Sequence, residues 1–313
     1  MLTLFYSDLY TGALDDAARF PKHRYRLVRD ELTRRGLFGT LATLVSDPDP
    51  ISADLLALAH DPDYIQRFVS GDMSPAEIRR IGFRPWTPEF VARTLTIAGA
   101  SLAATRLVCD GAPFSGNLAG GTHHAFRAHG EGYCVFNDLA VCALYALQRG
   151  FSRPFVLDLD VHQGNGTSAI LADHPDVFTY SIHCGKNYPF RKTPGDLDVA
   201  LPEGASDDDF LRALEDTLPG ALYTHQPDIV FYQGGVDPLA ADALGRLNMT
   251  REGLARRNRL ALDYAAYWSC PVVVLMGGGY ADPIELSAVA HADLYEEVAK
   301  RHAAATPLEM PPR

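Results

Sequence analysis

Four apolar runs of strand length, Arg153 to Leu159, Val177 to Ile182, Asp228 to Gln233 and Pro271 to Met276, punctuate the second half of the chain and are separated by stretches of helical periodicity. An unbroken apolar run marks a strand covered on both faces, and strands alternating with helices give the parallel sheet of an α/β fold. Ser206-Asp207-Asp208-Asp209 starts one intervening helix with carboxylates at its positive end, and Thr250 starts another that runs to Trp268. The first half reads as helical. Arg24 to Leu37 carries Tyr25, Leu27, Val28 and Leu32 at helical spacing, and Asp61-Pro62 supplies a cap and a first-position proline for a helix that Gly71 ends. Val91 to Val108 repeats the pattern, as does Asn137 to Gln148, where Asn137 can cap the start. Ser46-Asp47-Pro48-Asp49-Pro50 reads as a rigid exposed loop. With no internal repeat, low-complexity segment or long linker, residues 1–313 are expected to form a single α/β catalytic domain, a central parallel sheet flanked by helices.

A chain of 313 residues can bury a substantial core, and 47% hydrophobic with 21% charged residues suits a soluble globular protein. Lys and Arg number 28 against 39 Asp and Glu, and the resulting formal net charge of -11 does not suit direct nucleic-acid binding. The five cysteines, Cys109, Cys134, Cys142, Cys184 and Cys270, are odd in number, dispersed and without a Cys-x-x-Cys pair. They read as reduced thiols of a cytoplasmic protein rather than a disulfide framework or a zinc ribbon. Met1 to Asp8 has no basic start and too short an apolar stretch for a signal peptide, and no segment reaches the ~18 apolar residues of a membrane span. The expectation is a cytoplasmic protein without membrane contact.

Chemistry collects where the runs end. Asp160 and His162 follow Phe155-Val156-Leu157 at a spacing of two, so an extended chain turns both side chains to one side, and Asp237 follows Ile229-Val230-Phe231-Tyr232. In open α/β sheets, ligands bind at the carboxyl ends of strands, where loops converge. One imidazole and two carboxylates can hold a divalent metal and leave positions for water and a substrate carbonyl. A catalytic zinc requires that arrangement, and iron(II) or another divalent ion suits the same donors. Gly164 and Gly166 flank Asn165 and allow a tight turn beside the site. His123 and His124 stand together behind Gly120-Gly121. A lone histidine is ordinarily structural, whereas an adjacent pair presented by a turn suits proton transfer or metal binding. Met276-Gly277-Gly278-Gly279-Tyr280 leaves a strand through three glycines and brings a phenol to where it could donate to an oxyanion. A metal, a base and an oxyanion donor are the parts of metal-assisted amide hydrolysis.

The segments Gly120-Gly121-Thr122-His123-His124-Ala125, Gly132-Tyr133-Cys134-Val135-Phe136-Asn137-Asp138, the stretch from Val156 to Gly166, Gly234-Gly235-Val236-Asp237 and Gly277-Gly278-Gly279-Tyr280, in this order, resemble the motifs of the histone deacetylase superfamily. That superfamily also holds acetylpolyamine amidohydrolases and acetoin-utilisation proteins. Arg19-Phe20-Pro21 with Tyr25, His60-Asp61-Pro62-Asp63-Tyr64 and Gly82 to Trp86 extend the similarity over most of the chain. The resemblance implies the arginase-like fold, with Zn2+ held by Asp160, His162 and Asp237. It implies that His123 and His124 flank the attacking water, that Asp158 orients His123, and that Tyr280 polarises the scissile carbonyl. A structural K+ would be bound by Asp158, Asp160, His162, Ser181 and Ile182, partly through main-chain oxygens. Gly132, Tyr133, Phe190 and Leu244 would line a channel for the methylene stem of an acylated amine.

One position departs from the best-known members. The residue facing the second histidine, commonly Asp, is Asn165, and with Gln163 the stretch resembles the class IV branch and its bacterial relatives. An amide oxygen can accept the Nδ1 hydrogen and fix the tautomer, but it brings no negative charge. His124 is therefore expected to stay neutral, and His123, facing Asp158, to be the more readily protonated. The expected activity is zinc-dependent deacylation of Nε-acyl-lysine in proteins or peptides. Hydrolysis of a small acylated amine such as an acetylpolyamine is the alternative within that chemistry, and the lack of a long insertion to narrow the entrance leans toward peptides. An inactive acyl-lysine binding module is the alternative of another class, against which stands the complete set of ligands, histidines and tyrosine. An arginase-like two-metal ureohydrolase would need more Asp-rich motifs than the chain contains.

Overall fold

The apolar runs are strands. In the computed structural model, which describes residues 1–15 and 19–305, they are four of eight strands in one sheet: β1 (Leu2–Tyr6), β2 (Ala42–Ser46), β3 (Phe114–Asn117), β4 (Pro154–Asp158), β5 (Phe178–Cys184), β6 (Leu197–Leu201), β7 (Ile229–Gln233) and β8 (Val272–Leu275). The spatial order is β2-β1-β3-β8-β7-β4-β5-β6, and every neighbouring pair is parallel. β4, β7 and β8 are buried at every residue, as unbroken Val/Ile/Leu/Phe runs require. In the central register Leu157 lies between Tyr232 and Tyr180. The architecture is the expected α/β class with a central parallel sheet.

Helices cover the sheet. Pro88–Cys109 packs on β1 and β3, Asp138–Gln148 on β4, and Asp207–His225 on β5 and β6, while Glu285–Ala304 packs against Arg24–Arg34 and Arg251–Tyr267. Local chemistry sets their ends. Pro62–Ser70 begins after Asp61 with proline in its first turn and stops at Gly71, whose φ of 77° is left-handed. Pro88–Cys109 begins before the apolar pattern does, because the Thr87 side chain accepts from Phe90 N at 3.2 Å and Pro88 takes the first helical position. Asn137 caps Asp138–Gln148 through Ala140 N at 2.9 Å. Among the described residues no helix is long and apolar enough to cross a membrane.

His60 ties the segment before Pro62–Ser70 to the loops that carry the site. Its Nδ1 lies 3.0 Å from the Phe126 carbonyl, and its Nε2 accepts from the Asn137 backbone N–H at 2.8 Å, so the ring sits neutral with a hydrogen on Nδ1. Burial lowers its pKa from 6.5 to about 4. The unfolded chain thus takes up a proton in this window while the folded chain does not. Stability present above pH 6.5 is lost as pH falls toward 4, on the order of 3 kcal/mol in total. Urea midpoints at pH 7 and pH 4.5 check this: His60→Asn is expected to show a smaller drop than the wild type, and equal drops would contradict it.

Candidate active site

Five adjacent strands, β3, β8, β7, β4 and β5, end at one cavity of about 430 Å³. The loop after β3 brings Gly120 to His124, that after β8 Gly277 to Tyr280, that after β7 Asp237, that after β4 Asp160 and His162, and that after β5 Asn187 to Phe190. This is the carboxyl edge of a parallel sheet, where the loops of neighbouring strands converge.

Asp160, His162 and Asp237 meet at the floor. One ligand atom from each lies within 4.8 Å of the others, and all three residues are buried. His162 Nδ1 is 3.1 Å from Asp160 Oδ1 and 3.0 Å from Asp237 Oδ2. Burial works against a charge on His162, but these two carboxylates outweigh it and lift the pKa to about 10. Asp237 is pushed up to about 7 by burial and by Asp160. A nitrogen and two carboxylate oxygens that gather a proton between them form a hard-to-borderline donor set, and a divalent cation replacing that proton fits them. The oxygens facing away from His162 are already engaged: Asp237 Oδ1 accepts from Val161 N at 2.9 Å, and Asp160 Oδ2 accepts from Gly278 N at 2.7 Å and from Gln233 Nε2 at 3.2 Å. Gly278 is glycine for space, since a Cβ there would run into Asp237 Oδ2 and Asp160 Oδ2.

The histidine pair stands beside this cluster with different partners. His123 Nδ1 is 2.7 Å from Asp158 Oδ2, and His124 Nδ1 is 2.7 Å from Asn165 Oδ1. Both rings are buried, and their centroids are 4.1 Å apart. Burial opposes a charge on each. Asp158 and Asp160 reverse that for His123, whose pKa is raised, whereas His124, with only an amide partner and two neighbouring imidazoles, falls well below its ordinary value. His124 is therefore a neutral ring with a hydrogen on Nδ1 and a free lone pair on Nε2.

Behind Asn165 lies a link that motif spacing does not announce. Asn165 Nδ2 donates to Glu131 Oε1 at 2.8 Å, and the Tyr188 hydroxyl donates to the same oxygen at 2.8 Å. Glu131 thus fixes which way the Asn165 amide points, and with it which nitrogen of His124 holds the hydrogen. Tyr188 also packs edge-on against His124, with centroids 4.9 Å apart. Nothing local in the sequence marks Glu131 or Tyr188, because their partners lie 34 and 57 residues away. Asp242 is likewise silent in sequence, yet it accepts from Tyr280 N at 2.6 Å and from Leu244 N at 2.9 Å, so it holds two cavity-lining residues in one geometry.

Tyr280 lines the cavity with Arg24 Cζ 5.0 Å from its ring centroid, and burial pushes its phenol well above the ordinary value of 10, so it remains a hydrogen-bond donor. Tyr133 follows Gly132, both with positive φ (64° and 55°), and its ring lies 5.4 Å from those of Phe20 and Phe83. Leu244 also lines the cavity, its carbonyl accepting from Asn187 Nδ2 at 2.7 Å. Phe190 lines the cavity too and is 83% exposed. Asp158 and Ser181 are partners in the β4–β5 register with Ile182 next along β5, and the Ser181 hydroxyl is 3.0 Å from His183 Nδ1.

The model of the histone deacetylase domain matches residues 18–294. The chain belongs to the histone deacetylase family. It is 41% identical over 280 residues to an uncharacterised protein of Picosynechococcus sp., covering 89% of this chain and 92% of that one. It is 31% identical over 255 residues to acetoin utilization protein AcuC of Bacillus subtilis (74% and 66%), and 29% identical over 266 residues to histone deacetylase 2 of Arabidopsis thaliana (81% and 67%). The crystal structure of the HDA15 HD domain superposes with a TM-score of 0.82 over 98% of this chain and 91% of that one, at 20% identity, a likeness of fold. As a hydrolase of the histone deacetylase family, the chain has its buried Asp-His-Asp cluster at the floor of the cavity that its tandem histidines and Tyr280 also line.

Proposed function

We propose that the chain is a zinc-dependent deacylase of Nε-acyl-lysine in proteins or peptides. The observation that carries this is the convergence of Asp160, His162 and Asp237 within 4.8 Å at the floor of a cavity that His124 and Tyr280 share. These three residues would hold zinc, which when bound supplies Lewis acidity toward the amide carbonyl and the attacking water. His124 takes the proton of that water at Nε2, since Nδ1 is committed to Asn165 Oδ1, and returns it to the leaving lysine amine. Tyr280 donates its hydroxyl hydrogen to the carbonyl oxygen as charge develops there. His123, engaged by Asp158, stabilises the site as the more basic partner. Asp158, Asp160, His162, Ser181 and Ile182 would hold a potassium ion on the side of β4 and β5, where Asp158 and Ser181 share a register. Gly132, Tyr133, Phe190 and Leu244 would grip the methylene stem. The reading takes residues 1–313 as one catalytic domain at work in the cytoplasm.

The mouth speaks to substrate charge. Its exposed lining residues include Arg79 and Arg80, with Arg246 paired to Glu203 at 2.7 Å, and the carboxylates that line the cavity are Asp160 and Asp237 at its floor. Guanidinium groups repel the remaining ammonium groups of an acetylpolyamine, which favours acyl-lysine in a neutral or acidic peptide. The zinc-loaded protein is expected to release acetate from an acetyl-lysine peptide, on the order of tenfold faster with acidic than with basic flanking residues, and the difference should shrink with added salt. Faster turnover of acetylated polyamines would move the assignment to small amines. A metal-replete protein inert on formyl, acetyl, butyryl and long-chain acyl peptides would leave a binding role.

A further inference from the structure

Two buried cations that line the cavity have no carboxylate partner among the described residues. Arg24 and Arg93 are each 3% exposed, and both line the cavity that holds the metal-binding donors. Arg24 donates from Nη1 to the Gly279 carbonyl and from Nη2 to the Gly277 carbonyl, both at 2.9 Å, while Arg93 Nε donates to the Tyr10 carbonyl at 2.9 Å. Arg24 Nε and Arg93 Nη2 are buried without an acceptor among the described residues. The two guanidiniums share the same ring faces: Arg24 Cζ is 5.1 Å and Arg93 Cζ 5.8 Å from the centroids of both Phe20 and Tyr25, and Arg93 is also 5.5 Å from Phe83.

Ring faces attract a cation but carry no net charge, so they leave the two guanidiniums repelling each other in a water-poor environment. Burial first, and the neighbouring Arg24 charge as well, depress the pKa of Arg93, an unusual direction for a side chain that is effectively always protonated. An anion at this end of the cavity relieves both effects, and the free Nη2 offers it a hydrogen bond. Phe20, Phe83 and Ile97 line the same cavity and give methylene groups an apolar wall.

We propose that Arg93, supported by Arg24, forms a carboxylate site at the buried end of the cavity, and that the chain hydrolyses acyl-lysines whose acyl group ends in a carboxylate, of the succinyl and glutaryl class. The proposal rests on the deacylase reading and names its substrate. The acyl carbonyl lies at the catalytic residues, the methylenes lie against Phe20 and Phe83, and the terminal carboxylate accepts from Arg93. Water adds its oxygen to the acyl carbon, the C–N bond breaks, the lysine amine keeps a proton, and a dicarboxylate leaves. An acetyl group ends in a methyl and makes no use of the site.

The test is a ratio measured within one protein, which cancels any loss of folded material. It compares kcat/KM for a glutaryl-lysine peptide with kcat/KM for the same peptide carrying valeryl-lysine, equal in chain length but without the terminal carboxylate. The metal-loaded wild type is expected to favour glutaryl by about 10-fold or more, the worth of one hydrogen bond to a charged group. Arg93→Met is expected to lose that preference. A wild type that hydrolyses valeryl as well as glutaryl overturns the proposal without any variant, and so does a preference that survives Arg93→Met. Should no acyl-lysine be hydrolysed, the deacylase reading falls, and the carboxylate site is judged by the thermal midpoint with free glutarate or acetate. A rise with glutarate that Arg93→Met abolishes supports it. No rise, or acetate acting as strongly as glutarate, overturns it.

Discussion

Tyr280→Phe is expected to lower turnover of the metal-loaded protein by ~10²- to 10³-fold while leaving metal content and thermal midpoint nearly unchanged. The substitution removes one hydroxyl and little else. The ring keeps its neighbours, Phe20 at 6.2 Å and Tyr133 at 6.3 Å between centroids, and the backbone N–H of residue 280 keeps Asp242. Because burial holds the phenol pKa well above 10, the hydroxyl donates across the working pH range, and the alkaline limb of the rate profile should have the same shape in both proteins. Single-turnover rates on an acetyl-lysine peptide measure the effect. Unchanged turnover would remove Tyr280 from the chemistry.

Asn165→Asp should destabilise the protein, and Glu131→Gln should rescue it. In the wild type the Asn165 amide presents its oxygen to His124 and its nitrogen to Glu131, so a neutral group separates an imidazole from a carboxylate. A carboxylate at position 165 would face that of Glu131 in a site where the Glu131 side chain is 17% exposed. With centres roughly 4 Å apart, the two repel by about 4 kcal/mol at an effective dielectric near 20. In the double variant, the amide introduced by Glu131→Gln can turn its nitrogen toward the new carboxylate and restore a hydrogen bond. Glu131→Gln alone keeps an oxygen for Asn165 and Tyr188 and costs little. Urea midpoints and kcat of the two single variants and the double variant close the cycle. Additive effects would mean that Glu131 and Asn165 do not act as a unit.

The same pair shows how much can be read from the chain. Asp160, His162, Asp237, His123, His124 and Tyr280 are legible because each closes or follows a strand-like run or a glycine turn, and the structure brings them to one cavity. Glu131, Tyr188, Gln233 and Asp242 are not, since each gains its meaning from a partner on a distant loop. Strands divide in the same way. β4, β5, β7 and β8 are dense in branched and aromatic side chains, whereas β3 is Phe-Ser-Gly-Asn with a single apolar residue, held in the sheet by pairing on both sides. β1 and β2 fall in the half whose dominant signal is helical, and β6, at the sheet edge, is half-buried over most of its length, so neither pattern stands out. Phe190, expected among the channel residues, is one of the residues that line the cavity and is largely exposed.

β8, the last of the eight strands in chain order, is the seam between a block of β2, β1 and β3 and a block of β7, β4, β5 and β6. His123 belongs to the first block and Asp160, His162 and Asp237 to the second, while Tyr280 hangs directly from the seam. Without β8, β3 and β7 would be left as two bare β-edges, and the segment that carries Tyr280 would have no strand to hold it beside the residues of the two blocks.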